Sequence, residues 1–350
     1  MGQSKSSKGT ILVTGTNGTL GSEIVSQILS TPELAAYHGI YTVRNAEKAP
    51  VLDLALQSGK YSQTHSNNVI SLDLADLSNV RAVAGKINQQ VAHGETPPIR
   101  ALILNAGYLE FTTQAWTADG FDMAFACNYL GHWLLTLLLL QSMDRDTGRI
   151  IILGSESHDP HNPKSKAAFN HEKWMNFIHD VHGSEPIAKG TWSTSKEDPS
   201  FHSGFRRYGA SKFCQALMIP ELQRRLDTDP ALHKLCILGV DPGSMPGNLT
   251  RRGPWIIRVF VFKLIMPWLA PLMAWLQPNG PLSTVKMGAA DIIAATLERG
   301  ESPKGMYFYR SELSEMTPET NDEKKRERLW VDTVRYTQMK AGDSILVNWQ

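Results

Sequence analysis

Cysteine is scarce in this chain, and none of it is arranged for chemistry. The three cysteines among 350 residues, Cys127, Cys214 and Cys236, sit in apolar segments without Cys-x-x-Cys or Cys/His spacing. Neither a disulfide framework nor a zinc site is implied, and reduced thiols at an intracellular, cytoplasmic address are expected. Charge of one sign is missing too: 35 Lys and Arg stand against 34 Asp and Glu, a net +1. Without a basic stripe there is no electrostatic case for nucleic acid. Apolar runs stay well below the ~20 residues that a membrane-spanning helix needs. The first nine residues are polar and basic, not an apolar signal sequence. They carry one pattern, Met1-Gly2 with Ser6, that fits an N-myristoylation acceptor, and Lys5 and Lys8 would add attraction to an anionic membrane surface; a solvated leader is the alternative.

What is present is an ordinary globular composition, 42% hydrophobic and 20% charged, with no internal repeat and no second domain boundary. Thr10 to Thr14 is a short β-branched run followed at once by Gly15, Gly18 and Gly21, then by a helical pattern through Ile24, Val25, Ile28 and Leu29. Strand, glycine-rich turn, helix is an arrangement that lets a pyrophosphate approach the backbone at a helix N-terminus, although the same turn serves structure alone. Further strands are predicted at 39–43, 69–72, 101–104, 150–153, 234–240 and 305–308, the last as a final edge strand. Their alternation with helical patterns implies βαβ units and a parallel sheet. Gly15, Arg44, Asp73, Asn105 and Ser155 all fall at carboxyl ends of strands, the edge where such sheets bind ligands. At the tip of the second strand Val43 cannot bind a ribose 2′-hydroxyl as an acidic residue would, and Arg44 suits a 2′-phosphate instead, which favours NADP(H) over NAD.

A long helix is predicted over 119–141, apolar enough to be buried against the sheet or a partner subunit but too short and interrupted to span a bilayer; Asn128 lies inside it and needs polar partners. From His158 to Arg207 the periodicity dissolves into a polar insertion, with one helix expected over 169–181. Six histidines there, His158, His161, His171, His179, His182 and His202, match no metal-ligand spacing and read as a solvated loop. Tyr208 and Lys212, four apart on a predicted helix over 208–226, share one face, so that the ammonium would lower the phenol's pKa and make it a proton donor. Residues 255–276 form an apolar run cut by Arg258, Lys263, Pro267 and Pro271. Three readings stay open for it: a lid over an apolar substrate (about 250–282), a helix on a membrane face, or a packed helical pair. Beyond Glu315 a peripheral polar tail, 316–350, is expected.

The segments TGTNGTLG, SLDLADLSNVR, LILNAG, CNYLGHWLLT, RIIILGSESH, YGASK and DPGSMPG, in that order from Thr10 to Gly247, resemble those of the short-chain dehydrogenases/reductases. The resemblance implies an α/β chain with a single Rossmann-type doubly wound parallel sheet over 10–315. It implies that Gly15, Asn17, Gly18, Leu20 and Gly21 hold the cofactor phosphates and Arg44 the 2′-phosphate. Asp73 and Leu74 would flank the adenine, Asn105, Ala106 and Gly107 line the cofactor channel, and Pro242, Gly243 and Met245 meet the nicotinamide end. Asn128, Ser155, Tyr208 and Lys212 fall on the family's catalytic tetrad, Asn128 holding a relay water and Lys212 also bonding the nicotinamide ribose. No metal is required.

The pattern departs from the family in two places. Thr19 stands where a glycine is usual, which predicts local re-routing at 16–19. The insertion separates Ser155 from Tyr208, and Ser157 is the alternative serine. The implied activity is NADPH-dependent reduction of a bulky apolar carbonyl, or the reverse oxidation of an alcohol, of the polyketide or terpenoid kind found in secondary metabolism. The resemblance is strongest to retinol dehydrogenase and protochlorophyllide reductase types and to fungal tailoring enzymes. Reduction of an activated double bond and non-catalytic NADP(H) sensing are the alternatives. A small apolar substrate, peripheral membrane contact and a homodimer are the partners considered.

Overall fold

The computed structural model describes residues 8–178, 182–253, 280, 282–297 and 303–350. Eight strands form one sheet in the order β3-β2-β1-β4-β5-β6-β7-β8: β1 (Thr10–Val13), β2 (His38–Val43), β3 (Asn67–Ser71), β4 (Ile99–Leu104), β5 (Arg149–Leu153), β6 (Cys236–Asp241), β7 (Tyr307–Tyr309) and β8 (Glu312–Ser314). Every pairing is parallel except β7 with β8. The fold is therefore an α/β Rossmann-like sheet, with its order reversing between β1 and β4, where a crevice opens at the carboxyl edge. The strand expected at the edge is not the last: the antiparallel β8 lies outside β7. The central strands are buried on both faces, which is why they read as continuous apolar runs instead of alternating ones.

One face of the sheet is covered by the helices Thr19–Ile28, Pro50–Ser58 and Val285–Leu297 and carries Ile24, Leu52, Ile103, Leu238 and Ile292 in its core. The other is covered by the Leu77–Ala92 helix, the apolar helix that ends in Gly131–Leu139, and the Phe201–Asp227 helix. The continuous helical stretch Met123–Ser142 is twenty residues long and apolar enough to cross a membrane, contrary to the length argument from sequence, yet 94% of its most apolar window is buried within the fold. Between Ala126 and Leu130 it makes a π turn, a local widening of the kind found at functional sites.

Two expectations fail here for one reason, the demand of the Phe201–Asp227 helix for cover. The insertion is not a solvated loop. Phe169, Trp174, Phe177, Ile178 and Ile187 join the main core, Phe177 stacks on Phe213 at 4.7 Å, and Trp174 meets Trp192 edge-on at 5.4 Å. Arg206 donates to the carbonyl of Ala168 and to the Ser193 hydroxyl and pairs with Asp198. Arg207 donates to the carbonyls of Ser193 and Thr113 and pairs with buried Asp122. In place of the helix expected over 169–181 there is a 3-10 turn, Glu172–Trp174; residues 179–181 lie outside the described residues. His158 is buried, its Nδ1 against the Ser155 carbonyl at 2.6 Å and its Nε2 accepting from the Thr317 amide at 3.2 Å.

Nor is the tail peripheral. The Glu323–Thr337 helix puts Leu329, Trp330 and Tyr336 into the main core, with Met339, Leu346 and Trp349 beyond it. Trp330 packs edge-on against Trp133 at 5.0 Å and donates to the Trp349 carbonyl at 2.7 Å. Arg225, buried on the tyrosine-bearing helix, stacks over Trp330 and pairs with Glu221 and Glu327. The 255–276 run and the Gly2/Ser6 pattern lie outside the described residues.

Truncating so large a buried ring leaves a cavity, at a cost of about 3–5 kcal/mol. Trp330→Ala is expected to lower the free energy of unfolding by that amount, measured by urea denaturation. A loss below about 1 kcal/mol would return the tail to the periphery.

Candidate active site

The carboxyl ends of β1, β2, β4, β5 and β6 open onto one cleft of about 810 Å³. At its floor the glycine-rich turn is built by steric exclusion. Gly15 has φ +70, and a Cβ on it would lie 2.8 Å from the Ala106 Cα. A Cβ on Gly21 would lie 2.5 Å from the Gly15 carbonyl oxygen. Gly18 caps the Thr19–Ile28 helix in extended conformation without any side-chain cap, so the first-turn N–H groups are left to the cleft. Thr19 is the first helical residue and needs no left-handed backbone; among the described residues only Arg310 and Gln338 are non-glycines with positive φ. The left-handed strain that would have followed from threonine at position 19 does not arise. Asn17 and Leu20 line the cleft, but the Asn17 side-chain oxygen accepts from the amides of Val51 and Leu52, capping the next helix.

Asn105, Ala106 and Gly107 form the adjoining wall at the end of β4. The Asn105 amide donates to the carbonyls of Thr14 and Gly15 at 2.7 and 3.3 Å, and the Ala106 amide to the Thr14 hydroxyl at 2.9 Å. That hydroxyl meets His132 Nε2 at 3.0 Å, while His132 Nδ1 faces the Asn128 carbonyl at 2.9 Å. A carbonyl can only accept, so the proton sits on Nδ1 and Thr14 donates to Nε2. Burial pushes the His132 pKa down to about 4, holding the ring neutral. On the other wall Arg44, Asp73 and Leu74 line the cleft beyond β2 and β3, and no acidic side chain stands at the tip of β2. At the far end are Pro242, Gly243 and Met245.

Ser155 follows β5 and Tyr208 sits within the Phe201–Asp227 helix, and both line the same cleft. Ser157 is not a rival to Ser155 but its support, since its hydroxyl and its amide both point to Ser155 Oγ, at 2.9 and 3.3 Å. Two donors into Ser155 Oγ leave its own proton to be donated into the cleft. Lys212 lies on the same side of the helix, its Nζ 5.6 Å from the Tyr208 ring centre. It donates to the Leu153 carbonyl at 2.7 Å and to Gln215 at 2.9 Å, which leaves its third proton for another acceptor. Burial lowers the Lys212 pKa to about 8, opposed by the charge of Asp241. The phenol departs from the sequence expectation: burial raises the Tyr208 pKa above its ordinary value, and the nearby Ser155 side chain opposes this only in part. Lys212 is turned toward the end of β5, not onto the phenol oxygen.

Asn128 is fully buried and does not line the cleft. Its amide donates to the Tyr108 carbonyl (3.0 Å) and to the Ser211 hydroxyl (2.8 Å), and its oxygen accepts from the Tyr108 amide (2.7 Å). Both amide protons are occupied within the protein, so the side chain braces the loop after β4 against the tyrosine helix. Asp241 was missed from sequence as a site residue although it ends β6 beside the Pro-Gly pair. It is buried at the cleft, accepts from the Gly243 amide at 2.8 Å, and burial lifts its pKa to about 6. Among the described residues no group of three or more His, Cys, Asp or Glu comes together.

A sequence model of the short chain dehydrogenases matches residues 9–167. A Talaromyces variabilis protein, short-chain dehydrogenase iccH, is 42% identical over 98% of this chain and 99% of its own. The chain belongs to the short-chain dehydrogenase/reductase family. Human retinol dehydrogenase 13 is 28% identical, over 95% of this chain and 85% of its own. Among solved structures, the angucycline C-6 ketoreductase LanV with bound NADP superposes with a TM-score of 0.55 at 15% identity, covering 86% of this chain and 93% of its own. As a member of this family the protein is an oxidoreductase.

Removing the Asn128 side chain strands the Tyr108 amide and carbonyl in a dry interior, at about 1–3 kcal/mol for each group left unsatisfied. Asn128→Ala is expected to lower unfolding stability by about 2–4 kcal/mol in chemical denaturation. An unchanged midpoint would mean that the brace contributes nothing.

Proposed function

We propose that the protein is an NADPH-dependent ketoreductase acting on a bulky apolar carbonyl compound, of the kind made in secondary metabolism, with Tyr208 as proton donor. The observation that carries this reading is that Ser155, Tyr208 and Lys212 line one cleft, the one that the glycine-rich turn floors. A nicotinamide bound there would supply the hydride. The residues fit such a group: Gly15 and Gly21 have no room for a Cβ, the helix N-terminus behind them lacks a side-chain cap, and Arg44 stands where a 2′-phosphate needs a cation.

The chain's own part begins with the carbonyl oxygen, which would receive hydrogen bonds from Ser155 and Tyr208. Both bonds strengthen as charge builds on that oxygen, which is how they favour the transition state over the ground state. Tyr208 then releases its proton to the oxygen. A raised phenol pKa suits that direction, because the group remains protonated until an alkoxide forms beside it. Lys212 directs its remaining proton toward the cleft, where it would hold a ribose hydroxyl and stabilise the phenolate as it appears. The apolar wall around the phenol supports an apolar substrate: Leu109 and Phe111 cluster with Tyr208, and Phe205, Met245 and Leu249 line the cleft nearby. The ketoreductase named among the structural neighbours is consistent with carbonyl reduction.

Tyr208→Phe removes the acid and keeps the ring. Turnover of an apolar ketone, followed by nicotinamide absorbance, is expected to fall by at least ~100-fold while NADPH affinity stays within about twofold. Retained turnover would eliminate Tyr208 as the donor. Arg44→Ala is expected to weaken NADPH by about 10- to 100-fold and NADH hardly at all in fluorescence titration, and equal losses would overturn the 2′-phosphate assignment.

A further inference from the structure

The carboxyl ends of β5 and β6 bring two buried charges of opposite sign into one place, Lys212 and Asp241. Leu153 pairs with Val240 in the parallel register, and the Gly154 amide donates to the Val240 carbonyl at 2.8 Å. Asp241 is the next residue of β6, while the Lys212 ammonium sits on the Leu153 carbonyl at 2.7 Å. Neighbouring strands lie about 4.8 Å apart, so this register keeps the two charged groups close. Both residues line the cleft, and they are 5% and 4% exposed. They do not touch: among the described residues neither forms a contact ion pair. The two acceptors that Lys212 meets, the Leu153 carbonyl and the Gln215 side-chain oxygen, are neutral. Asp241 in turn accepts from the Gly243 amide at 2.8 Å.

An ammonium in so dry a place tends to the neutral amine unless a negative charge stands near, and that charge acts over a longer range there than in water because burial removes screening. We propose that Asp241 is a positioning residue of the site, the buried counter-charge that keeps Lys212 protonated across the junction of β5 and β6. This rests on the reading of Lys212 as part of a reductase site and adds a residue to it. The other titratable groups packed here do not replace that charge. His132, on the apolar helix, also faces Lys212, but burial holds its ring neutral. Tyr307 and Tyr309 of β7 face Asp241 and are kept protonated by burial. Glu156, beside Asp241, is paired with Lys164 at 2.6 Å. Among the described residues Asp241 is therefore the carboxylate that opposes the effect of burial on Lys212, whose pKa stands at about 8. Burial lifts Asp241 itself to about 6, so between these values ammonium and carboxylate are charged together. As pH rises through the upper value Lys212 loses its charge, and taking the carboxylate away moves that loss to lower pH. After burial, the charge of Asp241 also raises the Tyr208 phenol. One carboxylate thus favours the protonated form of both groups, the state in which a donor must stand before it acts.

The test is an NMR titration of the full-length protein carrying isotope-labelled lysine, with the Lys212 signal assigned by its loss in K212R, for the wild type, D241N and D241E. Asparagine keeps the size of the side chain and an oxygen for the Gly243 amide while removing the charge; D241S, also without charge, takes its place if D241N does not fold. The Lys212 midpoint is expected to fall by about one to two pH units in D241N and to stay within about half a unit of the wild type in D241E. A midpoint unmoved in D241N would overturn the counter-charge role, and an equal fall in D241N and D241E would assign the effect to packing and overturn it too. The pH profile of ketone turnover separates this from the reductase reading, since the alkaline limb of kcat is expected to move with the Lys212 midpoint. A midpoint that shifts under a fixed limb would leave the counter-charge standing and remove Lys212 from the reductase reading.

Discussion

The convergence of the Ser155 hydroxyl and the Tyr208 phenol on one cleft imposes the heaviest demand on this fold, because its two halves come from segments separated by the whole insertion. A strand end delivers the serine and the middle of a long helix delivers the tyrosine. Register errors in either would separate them, since one residue's slip turns a side chain to the opposite face of a strand or rotates it by a third of a turn on a helix. The helix is therefore held from several sides. Lys212 reaches to the last carbonyl of β5, the strand that carries the serine. Asn128 grips Ser211 from the π turn. Arg206 and Arg207 fasten the residues just before the tyrosine to the insertion.

A second line of polar groups runs beneath the cleft. The Ala106 amide, Thr14 hydroxyl, His132 ring and Asn128 carbonyl form one directed hydrogen-bond chain, running inward from the half-buried Ala106 and fixed in tautomer by the carbonyl at its end. It joins the glycine-rich turn to the π turn, and through Asn128 to the tyrosine helix. A polar network satisfied at every member rigidifies a core where a partly satisfied one would weaken it. The glycine-rich turn and the tyrosine helix are in this way parts of a single mechanical unit.

Much of this was legible in the sequence, and the parts that were not share a cause. Short β-branched runs ending in Gly15, Arg44, Asn105 and Ser155 marked the strands and their functional edge because local composition and periodicity are enough for that. The insertion gave no such signal: Phe169, Trp174, Phe177 and Ile187 stand singly among polar residues, at neither helical nor strand spacing, and only the opposing helix explains their burial. The tail did carry a hint, for Leu329, Thr333 and Tyr336 repeat at helical spacing and all face inward. Its seven charged residues between Glu323 and Asp332 masked that stripe. The phenol's pKa was misjudged because sequence places a lysine one turn away without telling where its ammonium points. Solvent exclusion, which raises the phenol, is a property of the assembled core alone.

The cover over the tyrosine helix has a bearing on how the molecule comes into being. Synthesis runs from the amino end, so the sheet through β6 and the helix with Tyr208 leave the ribosome long before Trp330 and Trp349 do. Until those rings arrive, the apolar back of the helix and the guanidinium of Arg225 stand open to water. A nascent chain of this protein therefore has its cleft outlined before the later segment bearing Trp330 and Trp349 clamps the tyrosine helix.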